Sequence, residues 1–254
     1  MSFLRNVPEA SKNLGLFWDK YSFFKHREYF INDKQNLAPV LIKDLNIEDK
    51  VLEILNSRRD SVVQTSDVVL DLKASLNTRL LVGSGNPSPT EVGMTFSRNY
   101  GVPVIPGSAL KGCFSHYLKE RGDIFDADFR ELFGEELNGS SEDNVRGSLI
   151  FLDAIPLELK LGLDIVNNHF QPYYMEKQHP PNDWYNPVPV IYIVVESGRF
   201  RFTILADRNK EKKLSSELKK KLSEEFKSML KTYGIGAKTN YGYGRFSLHS
   251  RDGA

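Results

Sequence analysis

Between residues 68 and 82 the chain alternates apolar and polar side chains. Val68, Leu70, Leu72, Ala74, Leu76, Thr78, Leu80 and Val82 interleave with Asp71, Lys73, Ser75, Asn77 and Arg79. Successive side chains of a strand point to opposite faces, so a period of two predicts a strand over 68–82 with one buried face and one polar face. The polar face meets either solvent or a ligand. A strand must also pair its backbone donors and acceptors, so the rest of the chain has to supply a sheet around it.

Downstream segments supply the remaining layers. Leu110, Cys113, Phe114, Tyr117 and Leu118 form an apolar stripe at helical spacing, with Gly122 as the stop. Cys113 sits on that stripe and reads as a packing residue. A short helix is predicted around 127–133, ending at Gly134, and a strand over 147–155, halted by Pro156. Residues 160–187 show no clean period and read as a long ordered loop. Residues 189–196 and 199–206 read as two strands joined by a hairpin turn at Ser197-Gly198. Leu214, Leu218, Leu222, Phe226, Met229, Leu230 and Tyr233 mark a helix over 211–233, and Arg245–Leu248 a last short strand. With one strand to spare, this order is the βαββαβ plan of an α+β, ferredoxin-like domain. Upstream, Phe17, Tyr21 and Phe24 predict a helix within 11–35, and Ile47, Val51, Ile54 and Leu55 a second over 47–58. Residues 1–65 are therefore expected to form a helical extension packed on a domain spanning 66–254.

Bulk properties narrow the class. Hydrophobic residues make up 40% of the 254, enough for a core without disulfides, and the single cysteine excludes a Cys-rich zinc site. The N-terminus lacks the apolar run of a signal peptide and no segment is apolar enough to cross a membrane, so a cytoplasmic protein is expected. Net charge is only +1, yet residues 1–206 carry 22 Lys/Arg against 27 Asp/Glu and residues 207–254 carry 12 against 6. A compact basic end suits local contact with a polyanion. A solvated lysine-rich helix, with Lys219, Lys220 and Lys221 on its polar side, fits the same numbers.

Within that basic end lies Gly234-Ile-Gly-Ala-Lys-Thr-Asn-Tyr-Gly-Tyr-Gly-Arg-Phe246. Glycines can uncover backbone amides for a phosphate, and Lys238, Thr239, Asn240 and Arg245 add donors with no carboxylate nearby. A nucleotide P-loop is rejected: Ala237 precedes the lysine, and the loop follows a helix rather than a strand. A dinucleotide Gly-x-Gly-x-x-Gly is absent, because Thr239 holds the third position. A tight connector remains an even alternative. Pro106-Gly107-Ser108 opens a helix with Ser108 as the expected N-cap, and Lys111 stands where a capping box would place Glu or Gln. That helix start is a candidate phosphate site. Arg79, on the polar face of the first strand, is a candidate for RNA contact or for a cross-strand ion pair.

Gly234, Gly236, Gly242, Gly244 and Phe246 occupy the places of the C-terminal glycine-rich signature of the RAMP superfamily of CRISPR proteins, which this run resembles. Further blocks are similar to the family of sixth subunits of the type III-B (Cmr) effector complex. They are Arg79-Leu-Leu-Val-Gly83 with Glu91-Val-Gly93, Ile105-Pro-Gly-Ser-Ala-Leu-Lys-Gly112 and Gly147–Pro156. The central region adds Asp164–His169 with Tyr173-Tyr174, then Pro181–Trp184 and Asn186–Pro189. The likeness covers about residues 76–249. It departs at Ala109 and at His116, where relatives carry Ser and a basic residue, which weakens any cationic contact at 116.

The resemblance implies an RRM-related fold and a non-catalytic role in antiviral defence. The chain would hold CRISPR RNA toward its 3′ end in an RNA-targeting ribonucleoprotein, beside other RAMP subunits and the small helical subunit. The implied RNA-binding residues are Arg79, Gly107, Ser108, Lys111, Gly234, Gly236, Ala237, Lys238, Thr239, Asn240, Gly242, Gly244 and Arg245. No cofactor or metal is expected, since Asp153 and Asp164 are too scattered for a metal site and Asp153 reads as a hydrogen-bond acceptor at a strand end. The rival is a metal-independent endoribonuclease that processes CRISPR RNA, because histidine suits general acid–base work. Of His26, His116, His169, His179 and His249, His169 is the best candidate, although it reads as ordering its loop beside Tyr173 and Tyr174. Trp184 reads as a packing anchor.

Overall fold

The computed structural model describes residues 13–33, 36–122, 126–135, 145–175, 179–182, 184–210 and 213–248; His249 lies outside them. Short helical turns lead in: α1 Leu14–Leu16, α2 Ser22–Lys25, α3 Arg27–Asn32 and α4 Leu37–Leu41, followed by the long α5 Asp49–Thr65. The core runs β1 Asp67–Leu76, α6 Gly107–Arg121, α7 Asp126–Phe133, β2 Gly134–Glu135, β3 Val145–Arg146, β4 Leu149–Phe151, β5 Ile155–Asn168, α8 Gln171–Met175, β6 Val188–Ala206, α9 Ser216–Thr232 and β7 Phe246–Ser247. The main sheet is ordered β4-β6-β1-β7, with β5 continuing along β6 beyond β4. With α6 after β1 and α9 after β6, that order is the ferredoxin-like arrangement.

One face of the sheet is dry. Leu70, Leu72 and Ala74 of β1 and Phe200, Phe202 and Ile204 of β6 meet Leu110, Phe114 and Leu118 of α6 and Leu222, Phe226 and Leu230 of α9. Phe226 packs edge-on against both Phe114 and Phe202, at ring-centroid distances of 5.2 and 5.9 Å. Each such fully buried ring contributes about 1.5–3 kcal/mol. Gly122 ends α6 in the left-handed region (φ 65°), as its position predicts.

The polar face expected to meet solvent or ligand is instead roofed by α5. Arg201, 5% exposed, donates to both oxygens of Asp71 at 2.9 and 2.7 Å and to Asp60 Oδ1 on α5 at 2.6 Å. Arg59 of α5 reaches Thr203 Oγ1 and the Asp153 carbonyl, both at 2.9 Å.

Three strand readings differ from expectation. β1 stops at Leu76 rather than Val82. Beyond it Leu80 and Leu81 are both buried, in separate clusters, so the alternation reports burial on two sides of a crossing segment and not a continued strand. The predicted hairpin at Ser197-Gly198 is absent: β6 passes straight through as one 19-residue strand. Gly198 lies opposite Leu159, next to a register shift at Lys160/Leu161, and a Cβ there would come within 2.4 Å of the Glu158 carbonyl oxygen. Gly198 therefore permits a close strand approach beside the bulge at Glu196, not a turn. Its partner β5 runs through 160–168, part of the stretch read as a loop; Pro156 does not stop it, because β5 is an edge strand.

Together β5 and β6 form a long two-stranded arm. Phe17, Trp18, Leu37 and Leu41 from the N-terminal turns bury themselves against Met94 and Ile193 at its side. The single helix expected within 11–35 is broken into pieces, with a π-helical turn at Phe17–Tyr21 and a kink at His26. The helix expected at 47–58 extends to Thr65, and that expected over 211–233 begins at Ser216, capped by the Ser215 hydroxyl.

Candidate functional site

The glycine-rich run leaves α9 and crosses the segment after β1 before entering β7. Most of its amides hold the crossing together. Gly234 N–H donates to the Met229 carbonyl, Ile235 N–H to Gly244 O, Ala237 N–H to Leu81 O, and Gly244 N–H to Arg79 O, at 2.7–3.0 Å. Arg245 N–H donates to Thr78 Oγ1 at 3.0 Å. The close approaches account for the glycines: at Gly244 (φ 68°) a Cβ would lie 1.9 Å from Ile235 O, and at Gly236 (φ 101°) 2.5 Å from Leu81 O. For these positions the tight-connector reading is correct.

The outer part of the run differs. Lys238 adopts a left-handed conformation (φ 59°), rare for a side-chain-bearing residue, and starts a 3-10 turn over Thr239–Tyr241. Among the described residues the amides of Gly236, Lys238, Thr239 and Asn240 donate to nothing, nor do the Thr239 and Asn240 side chains. Tyr241 is 85% exposed, and nothing lies within 4 Å of the space a Cβ would take at Gly242.

Beneath this edge is a network that links the run to the arm. Lys238 Nζ donates to the Tyr192 hydroxyl at 2.7 Å and sits 4.5 Å from the centre of that ring. The Tyr192 and Tyr243 hydroxyls are 3.2 Å apart, and Tyr243 in turn donates to Asp164 Oδ2. Arg79 Nη1 reaches the same carboxylate oxygen at 2.8 Å, and the Ile165 amide donates to Oδ1. Because the Tyr243 hydrogen goes to Asp164, Tyr192 must donate to Tyr243, leaving its own oxygen free to accept from Lys238. Burial alone would raise the Asp164 carboxyl, but hydrogen bonds from Tyr243 and Arg79 outweigh it and hold the group below the usual carboxylate range. Burial and the bond to Asp164 push the Tyr243 phenol well above its ordinary value.

The other predicted residues fall as follows. Arg79 lies past the end of β1, in the ion pair with Asp164, so the ion-pair alternative is the one observed. Arg245 lies under the run: Nη2 reaches the Thr239 carbonyl at 3.3 Å, while Nη1 is sealed from solvent without a partner. Ser108 is not the cap of α6. Pro106 takes that position, and the Gly107 amide donates to Asp153 Oδ1 at 2.8 Å, so a carboxylate from the β4–β5 junction already occupies the helix start. Asp153 thus plays the strand-end role read for it. Lys111 is half-buried and has no ion-pair partner among the described residues. What joins α6 to the run is Cys113, whose Sγ lies 3.5 Å from Gly234 O; burial raises its thiol pKa, as befits a packing residue. Among the described residues no hydrogen bond or ion pair links Gly107, Ser108 or Lys111 to the run.

Tyr192 and Tyr243 are not among the sequence-predicted site residues, because their partners lie 46 to 79 positions away. Trp184 is 86% exposed, not a packing anchor. His169 is exposed beside the arm's end, without a hydrogen-bond partner among the described residues, and His116 pairs with Glu120 on its own helix. Among the described residues no group of three His, Cys, Asp or Glu could hold a metal ion, and no helix is long and apolar enough to cross a membrane.

Comparison with known proteins completes the description of the site. A family model described as the RAMP superfamily matches residues 73–247. The CRISPR system Cmr subunit Cmr6 of Pyrococcus furiosus is 30% identical, the match covering 68% of this chain and 66% of that protein, just under two thirds of its length. The Saccharolobus solfataricus Cmr6 subunit is 23% identical over 85% of this chain and 70% of its own. A chain in the solved type III-B Cmr-beta complex bound to cognate target RNA superposes with a TM-score of 0.65 at 22% identity, covering 91% of this chain and 76% of that one, a likeness of fold.

Proposed function

The chain belongs to the RAMP superfamily and is Cmr6-like, and from that membership we propose that it is an RNA-holding, non-catalytic subunit of a type III-B CRISPR effector complex that targets RNA in antiviral defence. In this reading it contacts the CRISPR RNA toward its 3′ end and packs against neighbouring RAMP subunits and the small helical subunit in the cytoplasm. Residues 1–65 act as a helical extension seated on the domain at 66–254. Guide–target base pairing supplies sequence specificity, so the protein needs only backbone contacts.

The observation that carries the proposal is the outer edge of the glycine-rich run. Unclaimed amides at Gly236 and Lys238–Asn240, two free polar side chains and the exposed ring of Tyr241 lie together, with no carboxylate anywhere from 233 to 245. Amides and hydroxyls suit phosphate oxygens, and an exposed aromatic ring suits a base face. Lys111 adds charge from the second turn-face of α6. The test is a map of RNA–protein crosslinks in the assembled complex. Crosslinks within 234–246 are expected, together with loss of guide RNA at physiological salt when Lys111→Ala and Lys238→Ala are combined. A complex that retains its guide in that double variant, with no crosslink in the run, refutes the site.

A further inference from the structure

Among the described residues Asp164 is the carboxylate that pairs with Arg79, the guanidinium behind this edge. It comes from the arm, opposite Tyr192 in the β5–β6 register, and its side chain is only 10% exposed. Arg79, 46% exposed in its side chain, would otherwise present a free guanidinium beside the run, since its own carbonyl already accepts from Gly244. Glu196, the neighbouring acid on β6, is engaged with Lys160 at 2.7 Å. Lys238 is held differently, by the oxygen and ring of Tyr192. Arg79, half-exposed, thus has its charge balanced by the nearly buried Asp164, while the other groups at the edge are amides, a hydroxyl and an aromatic ring.

We propose that Asp164 is a specificity-determining residue of this surface: it withholds Arg79 from polyanions, so that RNA is recognised by directional amide and hydroxyl contacts rather than by indiscriminate charge. The inference rests on the RNA-facing reading of the run, and revises the sequence expectation for Arg79 from RNA contact to internal counter-ion. A nearly neutral chain gains from this arrangement. A guanidinium free to bind any phosphate would raise affinity for every RNA alike, and a subunit whose sequence specificity comes from base pairing has no means to correct that.

The experiment uses the full chain and a short fluorescent unstructured oligouridylate, with binding followed by anisotropy between 50 and 200 mM salt. For single strands each neutralised phosphate adds about 0.7 to the slope of log affinity against log salt. Asp164→Asn is expected to bind about three- to tenfold tighter at the low-salt end and to steepen that slope by about 0.7, one additional phosphate. Asp164→Glu, which keeps the charge, should match the parent. Combining Asp164→Asn with Arg79→Ala should abolish the gain. Arg79→Ala alone should leave the parent slope unchanged; a shallower slope there refutes the inference even if Asp164→Asn fails to fold. An unchanged or shallower slope in Asp164→Asn, a gain that survives Arg79→Ala, no RNA binding by Asp164→Asn at 50 mM salt, or a shallower slope in Arg79→Ala alone would each overturn the inference. Crosslinking in the complex judges the RNA-facing reading separately, so the two can fail independently.

Discussion

Gly244→Ala should be the most damaging single-methyl change in the glycine-rich run, and Gly242→Ala is its natural control. Both glycines are in the left-handed region, at φ 68° and 87°, where an alanine costs about 1–2 kcal/mol. Their surroundings differ. A Cβ at Gly242 meets nothing within 4 Å, whereas at Gly244 it would lie 1.9 Å from Ile235 O and about 3 Å from two more backbone atoms of Ile235. Those atoms are backbone and cannot swing aside, so the strand entry must move by roughly an ångström. That displacement disrupts the Ile235-to-Gly244 and Gly244-to-Arg79 hydrogen bonds, each leaving a buried group unsatisfied at about 1–3 kcal/mol. Gly244→Ala should therefore cost on the order of 3–8 kcal/mol against about 1–2 kcal/mol for Gly242→Ala. With a urea m-value of about 2–3 kcal/mol/M, the unfolding midpoint of the first should fall by at least about 1 M and that of the second by less than about 1 M. Far-UV circular dichroism in a urea titration reads both. Equal midpoints for the two variants would refute the argument that close backbone packing, rather than RNA approach, explains the glycine at 244.

Three further outcomes follow from other contacts. Arg201→Ala strips the counter-charge from Asp71 and Asp60 and should destabilise the fold by about 2–3 kcal/mol. Burial raises the Asp71 carboxyl, but its bonds to Arg201 hold it below the usual value; its stabilisation is therefore full above the unfolded carboxylate pKa of about 3.9 and fades as pH falls through the lowered folded value. Urea midpoints from pH 7 to pH 2 should accordingly decline less in Arg201→Ala than in the parent. Asp153→Ala removes the acceptor for the Gly107 amide and should cost about 1 kcal/mol, as loss of an N-cap does, while Asp153→Asn stays within about 0.5 kcal/mol by the same urea assay. Purified protein incubated with repeat RNA in EDTA should produce no discrete cleavage; cuts that vanish in His169→Ala would establish the endoribonuclease reading instead.

The helices of the core were legible because each has a complete local signature: an apolar stripe for α9, a stripe plus a left-handed glycine stop for α6. The strands were read less well for an equally local reason. Ile155, Leu157, Leu159, Leu161, Leu163 and Ile165 alternate as cleanly as β1 does, so the stretch from 160 that reads as a loop opens with a strand period. Pro156 reads as a terminator only because the local sequence does not show that β5 is an edge strand, which tolerates a proline. Ser197-Gly198 between two apolar runs fits a hairpin turn equally well on local grounds. Only the pairing of β5 along Val188–Arg201 of β6 separates a bulge from a turn, and that pairing is not a local property.

The same distinction divides the candidate site. The four glycines of the run are visible in the sequence and mark the candidate place, yet three of them, Gly234, Gly236 and Gly244, would each put a Cβ within 3 Å of backbone. They answer to the fold, which must thread the chain from α9 past Leu80–Leu81 into β7. What faces outward is the amide of Gly236 and the segment Lys238–Tyr241, held in place by the Tyr192 phenol of β6, by Tyr243 of the run itself and, through Tyr243, by Asp164 of β5. A glycine signature can therefore persist wherever this crossing persists, whatever the outer residues do. If so, replacing Thr239, Asn240 and Tyr241 together by alanine should leave the unfolding free energy from urea titration within about 1 kcal/mol of the parent, as surface substitutions do, while guide-RNA crosslinking at the run is lost. Retained crosslinking in a stably folded triple variant would mean that the glycine backbone itself, and not the residues it displays, makes the contact.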